Sequence, residues 1–169
     1  MAAFLVVLGL VLAVGACGTD AQTLQPYTPA EGVNLDVGDP YDPESVVHVR
    51  NLLIISKEPG SGILSASLVT DGRDQLREIT GFAIKSDGSQ GAPIRVTLTN
   101  TVSIANRAQI VLTDQTTPIS VTSADLAPGL TASLTLTFAN AGEATVIVPV
   151  VDGDFPEYAS ISPAPTPST

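Results

Sequence analysis

This chain is poor in every residue that serves as a soft metal ligand. Its 169 residues include one cysteine, one methionine, one histidine and no tryptophan. A lone cysteine cannot close an internal disulfide, so stability must come from packing. The single methionine is Met1 and the single histidine is His48. A Cu(I) site draws on Met, Cys or His, and a zinc site on three or four nitrogen or sulfur ligands. Neither inventory is met, so no metal ligand and no cofactor are expected. One imidazole also leaves little for a Ser-His-Asp or Cys-His arrangement. His48 sits beside Arg50 on the polar side of its strand. There is no Gly-x-Ser-x-Gly elbow and no phosphate loop with lysine. No catalytic residue is assigned, and the chain is read as a non-enzyme.

Aromatic residues make up 4% of the chain, too few for a platform that stacks sugars. Basic residues are also scarce, 7 against 17 acids, giving a formal charge of −10. Such a surface repels nucleic acid and anionic lipid headgroups. Nucleic acid is therefore excluded as a partner, and any membrane attachment has to be covalent.

What the chain does have begins at its start. Ala2 to Ala16 is an apolar run, too short to span a bilayer but suited to the core of a secretory signal peptide. Met1-Ala2-Ala3 carries no Lys or Arg, a departure from the usual leader. The run closes on Val14-Gly15-Ala16-Cys17, which resembles a bacterial lipobox. The small residues admit a peptidase to the backbone, and the Cys17 thiol takes the lipid. The expected organisation starts with a lipoprotein signal peptide over 1–16. The mature chain then begins at Cys17, palmitoylated and anchored to the outer face of a bacterial plasma membrane.

Residues 17–44 read as an acidic, proline-containing tether, with Pro26, Pro29, Pro40 and Pro43 and no long apolar run. Glu31, Asp36, Asp39, Asp42 and Glu44 do not match the spacing of an EF-hand loop and read as a solvated linker. From 45 to 152 the pattern has period two. Val47, Val49, Leu53 and Ile55 are expected on one face, with His48 and Arg50 on the other. Leu64, Ala66 and Leu68 alternate with Ser65 and Ser67. Strands are also expected at Ile79–Ile84, Ile94–Leu98, Ala108–Thr113 and Pro118–Val121. Leu134, Leu136 and Phe138 face the core from one strand. After the Asn140-Ala141-Gly142 turn, Val146, Val148 and Val150 face it from the next. About seven to nine short strands with regular turns indicate an all-β sandwich, because each sheet has one apolar face to cover. Residues 153–169, ending in Ser160-Ile161-Ser162-Pro163-Ala164-Pro165-Thr166-Pro167-Ser168-Thr169, read as a disordered tail.

The last hairpin resembles a known family. Leu134-Thr135-Leu136-Thr137-Phe138, then Ala141-Gly142, then a strand ending Val148-Pro149-Val150, is similar to the C-terminal signature of PCu(A)C copper chaperones. Ile79-Thr80-Gly81 falls where that family has a central strand. The lipobox, Tyr27-Thr28-Pro29-Ala30-Glu31-Gly32-Val33-Asn34 and Val49-Arg50-Asn51-Leu52-Leu53-Ile54 resemble LpqE-like actinobacterial lipoproteins. The resemblance implies an immunoglobulin- or cupredoxin-like sandwich outside the membrane. The family holds Cu(I) with His and Met in two strand regions. Here those regions fall near Arg95–Asn100 and Ile110–Thr113, which contain neither residue. The expected function is a non-catalytic, lipid-anchored binding or accessory module with an unidentified envelope protein as partner. The alternative is an extracytoplasmic copper chaperone of the PCu(A)C type.

Overall fold

The computed structural model describes residues 30–161. The expected signal peptide over 1–16, Cys17 and residues 162–169 lie outside them. The period-two pattern becomes eleven strands, and the described residues include no α-helix. In chain order the strands are β1 (Val33–Val37), β2 (Val47–Ser56), β3 (Ser61–Thr70), β4 (Asp74–Ile84), β5 (Gln90–Pro93), β6 (Arg95–Thr97), β7 (Val102–Ile104), β8 (Ile110–Val111), β9 (Ser120–Thr122), β10 (Thr131–Phe138) and β11 (Glu143–Asp152).

One sheet runs β1–β2–β3, and β3 then pairs with β8 and with β9. The other runs β5–β4–β10–β11, with β7 beside the start of β4. Two stretches of chain serve both sheets. β11 pairs antiparallel with β10 over Glu143–Pro149, and then parallel with Ile54–Ser56 of β2 over Val150–Asp152. Residues 90–97 pair with β4 through β5 and with β9 through β6. The changeover is Ile94, whose amide donates to the Gly81 carbonyl at 2.9 Å. The strand expected over Ile94–Leu98 is β6, shortened to Arg95–Thr97, and β5 precedes it. The result is an all-β sandwich closed at two corners.

Between the sheets lies one apolar core. Leu64, Ala66 and Leu68 of β3 face Leu134, Leu136 and Phe138 of β10, as the alternation predicts. Removing a buried leucine side chain from such a core costs about 2–5 kcal/mol, because transfer and cavity terms add. Gly81 on β4 is there for close approach: a methyl at that position would run into the Ser133 carbonyl oxygen of the neighbouring strand. The strand expected over Ala108–Thr113 shortens to β8, because Leu112–Asp114 turns into a 3-10 segment that buries Leu112.

Three expectations need correction. First, β1 lies inside the segment read as tether, and it pairs with β2 from Val33↔Leu52 to Val37↔Val47. The strand domain therefore begins before residue 45. Second, β2 changes face halfway. Val47 and Val49 enter the main core, but Leu52 and Ile54 follow them there instead of Leu53 and Ile55. The cause is a bulge between Arg50 and Leu53 in the pairing with β3, with Asn51 in the left-handed region at φ 53°. One extra residue reverses side-chain parity. Third, residues 153–161 are not unstructured. They form turns, and Tyr158 and Ile161 cover Leu53, Ile55 and Val151. The Tyr158 hydroxyl donates to Glu31 Oε2 at 2.8 Å. Burial first, then that carboxylate, pushes the Tyr158 pKa up to about 12.

Asn51 is held at both ends. Its Oδ1 accepts from Gly32 N at 2.8 Å, and its own amide donates to Asn34 Oδ1 at 2.8 Å. Asn51→Val should therefore destabilise by about 2 kcal/mol or more, since a β-branched residue resists positive φ and the Gly32 bond is lost. Asn51→Gly should cost less. Urea unfolding gives both values, and a valine tolerated as well as glycine would contradict a strained bulge.

Candidate functional site

Antiparallel pairing sets Asp36 of β1 directly opposite His48 of β2. Both point away from the core, and Arg50, two residues further along β2, lies on the same face. The three side chains meet at one oxygen. Asp36 Oδ1 lies 2.8 Å from His48 Nδ1 and accepts from Arg50 Nη1 at 2.6 Å. Arg50 Nη1 also donates to the Leu35 and Val49 carbonyls, each at 3.0 Å. A carboxylate only accepts, so the imidazole proton belongs on Nδ1. The Arg50 Nη2 contact to Nδ1 at 3.3 Å is then charge proximity between two donors, not a second hydrogen bond. Nε2 has no hydrogen-bond partner among the described residues. An imidazole oriented through Nδ1 by a carboxylate is how metal-binding histidines are commonly held. Here, however, the guanidinium stands beside it and disfavours a cation.

Arg50 first, and His48 second, hold the Asp36 carboxyl below the usual carboxylate range. The cluster is open to water, with side-chain exposures of 41% for His48 and 55% for Asp36. Screening therefore keeps its net contribution within about 1 kcal/mol. Its structural role is to latch β1 onto β2.

The structure places His48 and Arg50 opposite the apolar face, where the alternation puts them. Asp36 is the member that sequence reasoning missed, because it was grouped with the acids of the tether. The alternation Val33-Leu35-Val37 around it was the available signal. The neighbouring acids have local roles: Asp39 Oδ1 accepts from Tyr41 N at 2.9 Å, and Asp42 Oδ1 from Glu44 N at 3.2 Å. Cys17 lies outside the described residues.

The two regions where the resembled family carries copper ligands are also placed. Arg95–Asn100 becomes β6 and the loop after it; Ile110–Thr113 becomes β8 and the start of the 3-10 turn. Beside the first region is a small pocket of about 120 Å³, which Thr97, Thr99 and Asn100 line with Gln115, Thr116 and Thr117. Its polar groups are hydroxyls and amides, hard oxygen donors unsuited to Cu(I). Among the described residues no group of three or more His, Cys, Asp or Glu side chains is placed to hold a metal ion.

No family model and no curated protein matches this chain. Solved structures do. The copper-bound PCuAC domain from PmoF2 aligns with a TM-score of 0.50 and 15% identity, over 71% of this chain and 98% of that one. The fold is that of a PCuAC domain. The apo PmoF2 PCuAC domain aligns at 0.45 with 14% identity, over 72% and 97% of the two chains. The apo PCuAC domain from PmoF1 aligns at 0.47 with 16% identity, over 71% and 98%.

The latch has a pH signature. Asp36 is a stronger acid in the folded chain than in the unfolded one. Its contribution is complete above about pH 4 and is lost as pH falls through the lowered native value. Amide-exchange protection of β1 relative to β10 should therefore decline below about pH 4. In Asp36→Asn it should be low throughout and lose that dependence. Equal pH profiles in the two proteins would rule the latch out.

Proposed function

We propose that this protein is a non-catalytic binding or accessory module of a bacterial cell envelope, built on the PCuAC fold and anchored by lipid on Cys17. In this reading it resembles the LpqE-like lipoproteins and stands on the outer face of the plasma membrane. It engages an envelope protein and neither nucleic acid nor a resident cofactor. One observation carries the reading: a PCuAC-type sandwich whose chain has no methionine after Met1 and a single histidine, His48, flanked by Arg50. The sheets of the fold are kept, while the donors for a soft ion are missing from the regions that resemble the family's binding strands.

A second reading is copper handling. The likeness to a copper-bound PCuAC domain favours it over an unspecified accessory role. His48, held through Nδ1 by Asp36, offers Nε2 as one nitrogen towards it. The two readings therefore divide between fold and donors: the structural neighbour supports copper, and the residue inventory supports a module without it. One nitrogen beside a guanidinium falls short of the two or more soft donors that Cu(I) needs.

Titration of the purified chain with Cu(I) against a competing chelator separates them. The proposal expects no stoichiometric binding in the sub-micromolar range. Stoichiometric binding lost in His48→Ala would establish the copper reading instead. Anchoring is tested by growing the expressing bacterium with a labelled fatty acid. The full chain should take up label and partition with membranes, and Cys17→Ser should do neither. Unlabelled wild-type protein would remove the anchor from the proposal.

A further inference from the structure

The chain has seven basic residues against 17 acids. Among the described residues, Arg50, Lys85 and Arg107 have carboxylate partners within 4.0 Å, and Lys57 reaches the Ala159 carbonyl. Arg73, Arg77 and Arg95 have none. Two of these three line the same groove, an open hollow of about 590 Å³ at the start of β4. In a chain this acidic, two guanidiniums sharing a groove without a carboxylate partner call for an explanation.

The groove is a fixed structure. β4 is paired there on both sides, with β7 through Asp74↔Ile104 and Gln75↔Ser103, and with β10 through Phe138↔Leu76. A register shift between Leu76 and Glu78 leaves Arg77 as the extra residue, so Arg77 and Glu78 are exposed in succession. A bulge of this kind re-aims a side chain. The Arg73 backbone is held by Asn140 Nδ2, which donates to its carbonyl at 2.9 Å. Asp74 is the one carboxylate lining the groove, but it is buried and occupied. Its oxygens accept the amides of Gln75, Asn140 and Ala141 at 2.7, 3.0 and 2.8 Å. The side chains of Arg73, Gln75, Arg77 and Ser103 make no hydrogen bond among the described residues. All four carry N–H or O–H donors.

We infer that this groove binds an oligoanion, a ligand bearing two or more phosphate or carboxylate groups. Arg73 and Arg77 provide planar forks that bind such groups in bidentate fashion, and Gln75 and Ser103 supply neutral donors between them. The two arginines are four positions apart on extended chain, roughly 10–13 Å between Cα atoms. Two anionic groups on one ligand match that spacing better than one. The inference deepens the binding-module reading and rests on it, and it is independent of whether copper binds.

The test is calorimetric titration of the detergent-purified full chain with sodium tripolyphosphate and, separately, with citrate. Saturable one-to-one binding of either probe, weakened by added salt, is expected. Preference for one assigns the phosphate or the carboxylate source. Arg73→Gln and Arg77→Gln should each weaken binding about ten-fold, while Arg95→Gln, outside the groove, should leave it unchanged. Because a variant can misfold, the Gln75 side-chain amide resonances of the wild-type chain provide a second readout and should shift on saturation. Silence from both probes, or an equal loss in Arg95→Gln, overturns the groove. If Cys17 still carries lipid in that event, the envelope-module reading survives without it.

Discussion

The structure depends on β11 belonging to two sheets at once. A sandwich of two separate sheets leaves four edges, each offering unpaired backbone groups to water or to another chain. β11 ties one edge of each sheet to the other by pairing with β10 along most of its length and with β2 at its end, beside β1. The 90–97 segment does the same at the opposite corner, turning at Ile94. Between the two closed corners, Leu52, Leu64, Leu134 and Leu136 are fully buried. Pro149 sits where β11 passes from one partner to the next, a position that tolerates a residue without an amide hydrogen.

That closure explains which parts of the fold were legible in the sequence. β10 has one polar and one apolar face along its whole length, and β3 and β11 over the middle of theirs, so alternation identifies them. β2 could be read only as far as Arg50. Beyond it the residues are apolar without interruption, so nothing in Leu52-Leu53-Ile54-Ile55 reveals that the parity has reversed. The reversal comes from Asn51 adopting positive φ, held by Gly32 and Asn34, partners 19 and 17 residues away. Such contacts are tertiary and leave no local pattern. The same reason hid the second small core. Leu53 and Ile55 need a cover, and it comes from Tyr158 and Ile161, in a segment whose composition reads as tail.

The candidate site was half visible for a related reason. Strand alternation put His48 and Arg50 on one face, and that much is local. Asp36 is 12 residues from His48 and lies in a segment dominated by prolines and acids. Composition averaged over that segment outweighed the short Val33-Leu35-Val37 pattern within it. The groove at Arg73 and Arg77 was not legible at all. It requires knowing which arginines lack a carboxylate nearby, and an acidic chain gives no hint of that until it is folded.

The fold and the ligand chemistry of this chain also separate cleanly. A PCuAC-type sandwich is defined by buried Leu, Ile and Val, and these say nothing about donors at the surface. The pocket beside the first family-like region presents Thr, Asn and Gln side chains. Oxygen donors of that kind suit hard cations weakly and Cu(I) hardly at all. Net acidity adds a complication, since a charge of −10 draws cations of any type into the surrounding solvent layer. Diffuse attraction of this sort is screened by salt and has no fixed stoichiometry. A coordinated ion would be held at one place, in one ratio, largely independent of ionic strength. The discriminating property is therefore not whether this acidic surface gathers metal ions, but whether any ion is retained once salt has removed the rest. His48 carries the one imidazole of the chain, and its Nε2 is the nitrogen without a partner among the described residues, with Arg50 beside the ring.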